Sequence, residues 1–360
     1  MTRRATAAAP TPSFAERLLA WFDVHGRHDL PWQHPREPYR VWLSEIMLQQ
    51  TQVATVIPYF ARFLARFPDL QTLAHAPLDD VIALWAGLGY YARARNLHRC
   101  AQVLVEQHGG VWPRDIDAVA ALPGIGRSTA AAILSQAYGD RHAILDGNVR
   151  RVLARHTATP GWPGVPAVQK ILWQAAEARL PQTRLADYTQ ALMDLGATLC
   201  TSRKPSCLLC PVAADCTARA QDRVSEFPGA KPVRARPHRR SQLLLIVDED
   251  SRLLLERRAP SGLWGGLWCP PLLGENDASL DDWLAQQDLA AEHREALPAF
   301  THSFTHFDLE LQPLRVQARM RGTALGEARW QWIDAEQQAQ LGMPAPIRRM
   351  LASLATATTP

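Results

Sequence analysis

The hydrophobic periodicity of this chain changes once, near residue 240, and this change constrains the fold more than any other feature. Apolar residues recur three and four positions apart from residue 13 to about 220, which predicts a run of helices. Beyond the change, Gln242–Val247 and Arg252–Arg257 flank a polar turn, as in a β-hairpin. An all-α domain followed by an α+β domain is therefore expected.

Local signals place the individual elements. Ser13 and Glu16 have the spacing of a capping box, and Gly26 marks the end of that first helix. Further helices are predicted over Val41–Val53, Asp69–Ala86, Ala92–His108, Asp115–Leu122, Arg127–Tyr138, Ala186–Leu199, Ala278–Gln287 and Ile347–Leu354. Residues Phe304–Ala318 alternate in polarity and are predicted to form a strand.

The helical domain is expected to span residues 13–220 and the α+β domain residues 241–355. A segment without periodicity, rich in proline and basic residues, lies between them at 221–240 and is interpreted as a linker. Nine Lys or Arg residues follow Cys200 as far as Arg240, against three acidic residues. These charges suit the binding of phosphate, although the solvated charge of a linker is the alternative explanation.

The composition excludes several classes of protein. With 47% hydrophobic and 21% charged residues, the chain is expected to be globular rather than disordered. No segment approaches the roughly 20 apolar residues that span a bilayer, and the N-terminus lacks a secretory signal. A soluble protein of a reducing, cytoplasmic compartment is the expectation.

Four of the six cysteines crowd into residues 200–216, which predicts a metal centre. Six, two and five residues separate Cys200, Cys207, Cys210 and Cys216, so four thiolates can converge from a short loop. An iron-sulfur cluster and a structural zinc both remain possible on this pattern. Zinc sites usually pair their ligands in two short knuckles, and here only Cys207 and Cys210 form one.

Leu122-Pro-Gly-Ile-Gly-Arg-Ser128 lies between two helical stretches and predicts a helix-hairpin-helix element. Gly124 and Gly126 leave backbone N–H groups accessible at the start of the second helix, where an anion such as a DNA phosphate is favoured. A turn between packed helices is the alternative. Further on, Asp146 precedes another helical run, where an N-cap would explain it equally well.

The hairpin, Asp146 and the cysteine loop occur in the order typical of the helix-hairpin-helix superfamily of DNA glycosylases, which includes endonuclease III. Within it, Leu43–Val53 and Leu88–Leu97 closely resemble adenine DNA glycosylases of the MutY type. The resemblance covers nearly the whole chain. It implies base-excision repair in the bacterial cytoplasm by a monomer that carries one 4Fe-4S cluster on the four cysteines. Its partner would be duplex DNA with adenine opposite 8-oxoguanine or guanine.

Glycosidic cleavage needs two carboxyl groups with different roles, an acid for the leaving group and an ionised partner for the oxocarbenium ion. Apolar neighbours nearly surround Glu45, so burial is expected to raise its pKa. By resemblance, Glu45 protonates a ring nitrogen of adenine, Asp146 stays ionised beside the sugar, and Asn148 orients Asp146. Taken alone, Glu45 would be an ordinary carboxylate on a helix surface.

The resemblance also assigns residues to DNA. Gln50 and Tyr90 enter the duplex near the lesion, with Thr51 and Leu88 beside them, and Leu30 and Trp32 line the base pocket. Without the family, these would be ordinary helix-surface and core residues.

Ser128 occupies the hairpin position that holds the Schiff-base lysine of bifunctional relatives such as endonuclease III. A hydroxyl cannot form an imine, so the expected product is an abasic site rather than a nick. Some relatives of the MutY type carry tyrosine there, and the role of Ser128 itself is left open.

The C-terminal domain resembles a Nudix fold but lacks the G-x5-E-x7-R-E-U-x-E-E box. Without that carboxylate array, neither Mg²⁺ nor a nucleotide cofactor is expected, and recognition is the predicted role. Phe304-Thr305-His306 is similar to the Phe-Ser-His segment with which the family reads 8-oxoguanine. An alternating strand with an outward hydroxyl and an ordinary histidine is the alternative.

Overall fold

The computed structural model describes residues 12–232, 235–259, 262–304, 306–321 and 329–357. They form two compact units: one comprises Met1–His75 and Asn96–Val233, and the other comprises Ala76–Arg95 and Arg234–Pro360. The second unit therefore contains a segment of the helical part of the chain together with the C-terminal part. Within the described residues, no helix is long and apolar enough to cross a membrane.

The part of the chain before residue 221 is helical, as expected. Its α-helices are α1 Phe14–His25, α2 Pro38–Leu48, α3 Val53–Arg66, α4 Leu70–His75, α5 Leu78–Trp85, α6 Ala92–His108, α7 Ile116–Ala120, α8 Arg127–Tyr138, α9 Gly147–His156, α10 Pro166–Glu177, α11 Leu185–Asp194 and α12 Thr217–Ala220. A π-helical turn, Leu195–Leu199, continues α11, and 3-10 turns lie at Cys207–Leu209 and Val224–Glu226.

Several local predictions are confirmed at the level of the residue. Ser13 caps α1 and forms the capping box with Glu16, and Gly26 follows its last residue. The predicted bounds of α6 and α8 agree with the structure. Three successive alanines, Ala130–Ala132, are buried in α8, and such small side chains let neighbouring helices approach closely.

Two predicted helices are interrupted. The helix expected over Val41–Val53 ends at Leu48, because Gln50 adopts a left-handed backbone with φ 59°. The one expected over Asp69–Ala86 divides into α4 and α5 at Pro77, which lacks the N–H that a continuous helix requires. Neither tight turn interrupts the apolar periodicity on which the predictions relied.

The C-terminal elements form a mixed sheet with helices. The described strands are β1 His238–Val247, β2 Leu253–Arg257, β3 Trp268–Cys269, β4 Leu272–Gly274, β5 Leu289–Ala296, β6 Phe300–Ser303, β7 Asp308–Met320 and β8 Trp330–Ile333, and the helices are α13 Leu280–Gln286, α14 Ala335–Gln340 and α15 Ala345–Ala357. Strand β1 begins within the segment interpreted as linker, where residues 233 and 234 lie outside the described residues.

Strand β1 lies at the centre of this sheet and pairs in parallel with β7 along its whole length, from His238 opposite Asp308 to Val247 opposite Gln317. Its pairing with β2 is limited to Val247 opposite Leu253. The predicted β-hairpin is therefore a minor part of the pairing. Leu243–Ile246 are all buried, because both faces of the sheet are covered by separate apolar clusters.

In the first unit, Asp194 at the end of α11 fixes the segment that follows α1. Its carboxylate is 1% exposed and accepts hydrogen bonds from the backbone and guanidinium of Arg27 and from Gln190. A buried charge of this kind is stabilised only while its partners remain in place.

We expect Asp194→Ala to lower the free energy of unfolding by about 3 kcal/mol, because it leaves a partly buried guanidinium without its counter-charge. Asp187→Ala on the same helix is the matched control. Its pair with Arg36 is 24% to 29% exposed, so a loss of at most about 1 kcal/mol is expected. Urea unfolding of both variants measures the difference, and equal losses would contradict the assignment.

Candidate active site

Glu45 lies in the last turn of α2, where Leu43, Ile46 and Met47 are buried. Its Oε1 accepts a hydrogen bond of 3.1 Å from Nε2 of Gln136 on α8. Burial, followed by the negative charge of Asp146, raises the pKa of Glu45 to about 7, while the hydrogen bond from Gln136 opposes that shift. The predicted upward shift is confirmed, and its second cause indicates that Glu45 and Asp146 are close.

Asp146 is the N-cap of α9, and its Oδ1 accepts a hydrogen bond of 2.7 Å from the backbone N–H of Val149. Burial raises the pKa of Asp146, while the N–H groups of Val149 and Asn148 and the charge of Arg151 act in the opposite direction. The interpretation of Asp146 as a helix N-cap is thus confirmed. It fixes one carboxylate oxygen at a helix N-terminus, a location that favours negative charge. An ionised Asp146 stays a prediction.

Asn148 acts on this site mainly through its backbone. Its N–H faces Asp146, whereas its side-chain Oδ1 accepts a hydrogen bond of 2.8 Å from Arg151. Arg151 also donates to the carbonyls of Gly196 and Cys200, at 2.6 and 2.7 Å. Gly196 is required there, since a Cβ on it would lie 2.6 Å from Cβ of Asn148.

Ser128, in the first turn of α8, has a definite structural partner. Its Oγ accepts a hydrogen bond of 2.9 Å from the backbone N–H of Leu145. The residue beside Asp146 is therefore tied to the hairpin helix.

The hairpin before α8 has the geometry that its glycines predict. Gly124 has φ 76°, and a Cβ there would lie 2.7 Å from Cβ of Asn96, so no larger residue fits without a shift. Gly126 is the N-cap of α8 and is open to solvent, with nothing within 4 Å of a built Cβ. Both glycines are exposed. An anion would meet unobstructed backbone at this helix N-terminus.

The turn after α2 contains Gln50 and Thr51. Gln50 is exposed in a left-handed conformation, and Thr51 is half-buried, with its N–H bonded to the carbonyl of Leu48 at 3.2 Å. Non-glycine residues rarely adopt this backbone, and those that do concentrate at functional positions.

Leu30 and Trp32 are buried in the segment before α2, with 6% and 3% exposure. The Trp32 ring packs edge-to-face on Phe60 at 5.4 Å, and the carbonyl of Pro31 accepts a hydrogen bond of 2.6 Å from Arg40. The segment is thereby fastened to α2, the helix that carries Glu45.

The second unit holds the Gly87–Tyr90 turn. Leu88 is buried, whereas Tyr90 is 48% exposed and has φ 49°. Arg93, itself buried, donates to the carbonyls of Leu88 and Gly89 at 3.2 Å each, and its guanidinium lies over the Tyr90 ring at 5.6 Å.

Phe304 and His306 belong to the turn between β6 and β7, so the strand prediction is wrong for these residues. Ser303 pairs with Asp308, and the N–H of Phe304 bonds the carbonyl of Phe307 at 2.8 Å. We call Phe304, His306 and Phe307 the β6–β7 turn. Phe304 stacks on Phe307 at 4.6 Å, and His306 is exposed. Thr305 lies outside the described residues.

The four clustered cysteines line one cavity beside α9 and the π-helical turn. Burial, together with the charges of the other three cysteines, raises the pKa of Cys210 to about 11, while the backbone N–H of Val212 opposes this shift. Burial, with the charges of Cys200 and Cys207, also raises the pKa of Cys216, while the backbone N–H groups of Arg219 and Ala218 oppose this shift. Four clustered thiols whose negative charges would repel one another suit a cationic metal centre shared between them.

As placed, no group of three or more His, Cys, Asp or Glu side chains among the described residues is arranged to hold a metal ion. Arg155 nevertheless fixes the start of the cysteine loop. It is 3% exposed and donates to the carbonyls of Thr201 and Ser202 at 2.7 and 3.0 Å and to Sγ of Cys200 at 3.4 Å. The remaining cysteines, Cys100 and Cys269, are core residues with 0% exposure.

Sequence reasoning missed three residues that shape these sites: Gln136, Arg151 and Arg93. Gln136 is a polar residue in the apolar stretch of α8 and is 4% exposed, so its break in the pattern was a usable signal. The two arginines gave no such signal, since an arginine on a helix usually faces solvent.

Comparison with known proteins agrees with this geometry. Residues 43–178 match the family of HhH-GPD superfamily base excision DNA repair proteins, and residues 242–353 match the NUDIX domain family. A solved thermostable thymine-DNA glycosylase superposes with a TM-score of 0.53 at 30% identity, over 58% of this chain and 95% of that one. The fold and the pair of carboxyl groups thus define a helix-hairpin-helix DNA glycosylase followed by a Nudix-like domain.

Relatives that match over most of the chain identify the family more narrowly. Adenine DNA glycosylase of Buchnera aphidicola from Acyrthosiphon pisum is 34% identical over 94% of this chain and 96% of its own length. The human adenine DNA glycosylase is 35% identical over 84% of this chain and 67% of its own. This chain belongs to the adenine DNA glycosylase family, whose activity is the removal of adenine in base-excision repair.

Proposed function

We propose that this adenine DNA glycosylase is monofunctional and acts on adenine paired with 8-oxoguanine or guanine, hydrolysing the N-glycosidic bond to leave an abasic site. The observation that carries the proposal is the pKa of Glu45, which removal from water and a second carboxyl group raise to about 7. A carboxyl group with this pKa can hold a proton near neutrality and release it to a leaving group.

Glu45 is the general acid. Adenine is a poor leaving group as an anion, and protonation at a ring nitrogen lets it depart as a neutral base while the bond to C1′ breaks. Gln136 holds the Glu45 carboxyl by its Oε1, which leaves the other oxygen to face the substrate. The proton therefore comes from a group whose orientation is fixed before adenine arrives.

Asp146 stabilises the sugar. As the glycosidic bond breaks, positive charge develops on C1′ and the ring oxygen, and an ionised carboxylate nearby lowers the energy of that state. The N–H groups of Val149 and Asn148 supply hydrogen bonds that favour the ionised form, and Arg151 adds positive charge. Water then adds to C1′, and its released proton passes to solvent or to a carboxylate.

The absence of a lysine at position 128 supports a monofunctional enzyme. A Schiff base requires an amine, whereas Ser128 offers a hydroxyl that is already bonded to the N–H of Leu145. Ser128 thus supports the segment that carries Asp146.

Access to adenine requires the base to leave the stack, which is easier at a mismatch. We assign the opening of the duplex to the exposed Gln50 and Tyr90, with Thr51 and Leu88 beside them. Leu30 and Trp32 form the apolar wall of the base pocket. Gly124 and Gly126 present backbone N–H groups to a phosphate, so the hairpin holds the strand without reading its sequence.

Cys200, Cys207, Cys210 and Cys216 would hold one 4Fe-4S cluster. The cluster would supply a rigid charged core for the loop that follows α11. Neither Mg²⁺ nor a nucleotide cofactor takes part in this proposal. The Nudix-like domain recognises 8-oxoguanine through Phe304, Thr305 and His306, because the lesion differs from guanine by one carbonyl and one ring N–H.

We expect Glu45→Gln to retain binding to duplexes with adenine opposite 8-oxoguanine and to lower the single-turnover excision rate at least about a hundredfold. Since Glu45 must be protonated, the rate of the unaltered protein should fall as the pH rises through about 7. Glu37→Gln, at the exposed N-cap of the same helix, is the matched control and should preserve both rate and pH profile. Scoring with and without alkali also tests for strand cleavage, and near-normal excision by Glu45→Gln would remove Glu45 from the mechanism.

Purified protein should contain about four irons per chain and absorb broadly at the boundary of the visible and ultraviolet. Cys210→Ala should lose the iron and the absorbance together, because one of four ligands is missing. Cys100→Ala removes a buried thiol elsewhere and should keep both. A colourless protein with one zinc would refute the cluster.

His306→Ala should lower the ratio of excision from adenine opposite 8-oxoguanine to that opposite guanine. One lost hydrogen bond, at about 1 to 3 kcal/mol, corresponds to roughly 5- to 150-fold. His293→Ala changes an exposed histidine on β5 and should leave the ratio as it is. Single-turnover rates and dissociation constants on both duplexes provide the measurement. Equal losses on the two duplexes would assign the β6–β7 turn to the fold alone.

A further inference from the structure

We propose that Arg95 is a positioning residue that couples the Gly87–Tyr90 turn to the β6–β7 turn through the Gly262–Leu267 loop, and that this coupling sets the discrimination between 8-oxoguanine and guanine. The proposal rests on the proposed function, because it assumes that Tyr90 enters the duplex and that the β6–β7 turn reads the lesion. The described residues that carry it belong to one compact unit.

The Gly87–Tyr90 turn is fastened to the first residues of α6. Besides the hydrogen bonds from Arg93, Nε1 of Trp85 donates to the carbonyl of Gly89 at 3.2 Å. The Arg93 guanidinium lies over the Trp85 ring at 5.4 Å as well as over Tyr90. Any shift at the start of α6 is therefore passed directly to Tyr90.

Arg95 lies two residues after Arg93 on α6 and joins this assembly to the C-terminal part of the chain. Its Nη1 donates a hydrogen bond of 2.5 Å to the carbonyl of Gly265. Its stem lies against the next residue, since a Cβ built on Gly266 would be 3.6 Å from Arg95 Cδ. A hydrogen bond from a charged guanidinium to a partly buried carbonyl is stronger than a hydrogen bond between two neutral groups.

Other contacts support the same junction. The hydroxyl of Tyr91 donates to the carbonyl of Met343 at 3.3 Å, and Arg257 pairs with Asp79 on α5 at 2.5 Å. Gly342 packs so closely on α5 that a Cβ there would lie 2.6 Å from Cγ2 of Ile82. The junction is thus tightly packed. Arg95 contacts the Gly262–Leu267 loop at Gly265, and Gly342 approaches the same loop at Leu267, where a Cβ on Gly342 would lie 3.5 Å from Cδ2.

The loop in turn contacts the β6–β7 turn. Trp264 has a left-handed backbone with φ 52°, and its ring lies 6.0 Å from Phe304 and 6.3 Å from His302. The N–H of Leu267 bonds the carbonyl of Trp264 at 3.1 Å, which closes the loop on itself. The carbonyl that accepts from Arg95 and the ring that supports Phe304 therefore belong to adjacent residues.

In this arrangement, Arg95 affects the preference for 8-oxoguanine over guanine and does not affect the cleavage of the glycosidic bond. Arg95 contacts neither Glu45 nor Asp146 in any described hydrogen bond or ion pair. If the two turns are coupled, a change at one of them alters how the protein responds to a feature of the DNA that the other reads. Here that feature is the added carbonyl and N–H of 8-oxoguanine, and the response is the preference for 8-oxoguanine over guanine. Contact alone does not prove coupling, so the test is a double-mutant cycle.

Arg95→Met keeps the apolar stem against Gly266 and removes the donor to Gly265. We expect excision of adenine opposite guanine to stay within about 2-fold and the preference for 8-oxoguanine to fall about 5- to 10-fold, within the usual range for coupling between sites. Arg99→Met on the same helix is the matched control. It removes the same charge, but Arg99 bonds Gln102 and Glu106 within α6, so the preference should stay.

In the cycle, Arg95→Met combined with His306→Ala should lose little more preference than His306→Ala alone, because both changes act on one recognition step. Multiplicative losses, an unchanged preference in Arg95→Met, or equal losses on both duplexes would each overturn the proposal. Tyr91→Phe, which removes one hydroxyl and preserves the ring, should give a smaller loss of preference in the same direction and guards against misfolding of Arg95→Met.

Hydrogen exchange of the free full-length protein separates this inference from the proposed function. Arg95→Met should speed exchange at the bonded N–H groups of Leu88 and Leu267 together, whereas Arg99→Met should not. Unchanged exchange in Arg95→Met would overturn the mechanical link whatever the substrate. If the unaltered protein showed no preference for 8-oxoguanine, the proposed function would fail, and exchange would still decide whether the two segments are coupled.

Discussion

The removal of Glu45 from water beside a second carboxyl group is the constraint on which the rest of the helical unit depends. Burial is the larger cause of its raised pKa and the charge of Asp146 the second, so both the packing and the pairing are needed. The alanines of α8 allow close packing, and Gln136 supplies one hydrogen bond where an apolar residue would leave the carboxyl unpartnered. An aliphatic residue at position 136 would leave this carboxyl group without that hydrogen bond and destabilise the fold.

Much of the helical part of the chain was predictable because its signals are local. The capping box at Ser13, the whole of α6 and α8 and the glycine hairpin depend on residues within a few positions of each other. The sequence predicted which two residues supply the carboxyl groups, and it predicted that the pKa of Glu45 is raised. The partners that tune it were not, because Gln136 is 91 positions away from Glu45, and no periodicity reveals which helix faces which.

The C-terminal sheet was less predictable for a related reason. Alternation identified most of β1, β2 and β7 but none of the other described strands. It also cannot tell that β1 pairs in parallel with β7, whose register joins His238 to Asp308. Likewise, Phe307 is in step with the alternating Leu309 and Leu311 and yet lies in a turn, where its ring stacks on Phe304. Non-local pairing decided the first outcome, whereas a contact between residues three positions apart accompanies the second.

The left-handed residues connect structure with function more directly than periodicity does. Gln50, Tyr90 and Trp264 each have φ between 49° and 59° although none is glycine. Such a conformation costs about 1 to 3 kcal/mol per residue and persists only where surrounding contacts enforce it. For Tyr90 those contacts are the bonds from Arg93 and Trp85, and for Trp264 they are the loop closure and Phe304. A glycine would relieve the strain at each position. The large side chains found there instead fit the proposed roles of Gln50 and Tyr90 in the duplex and of Trp264 in supporting the segment that reads the lesion.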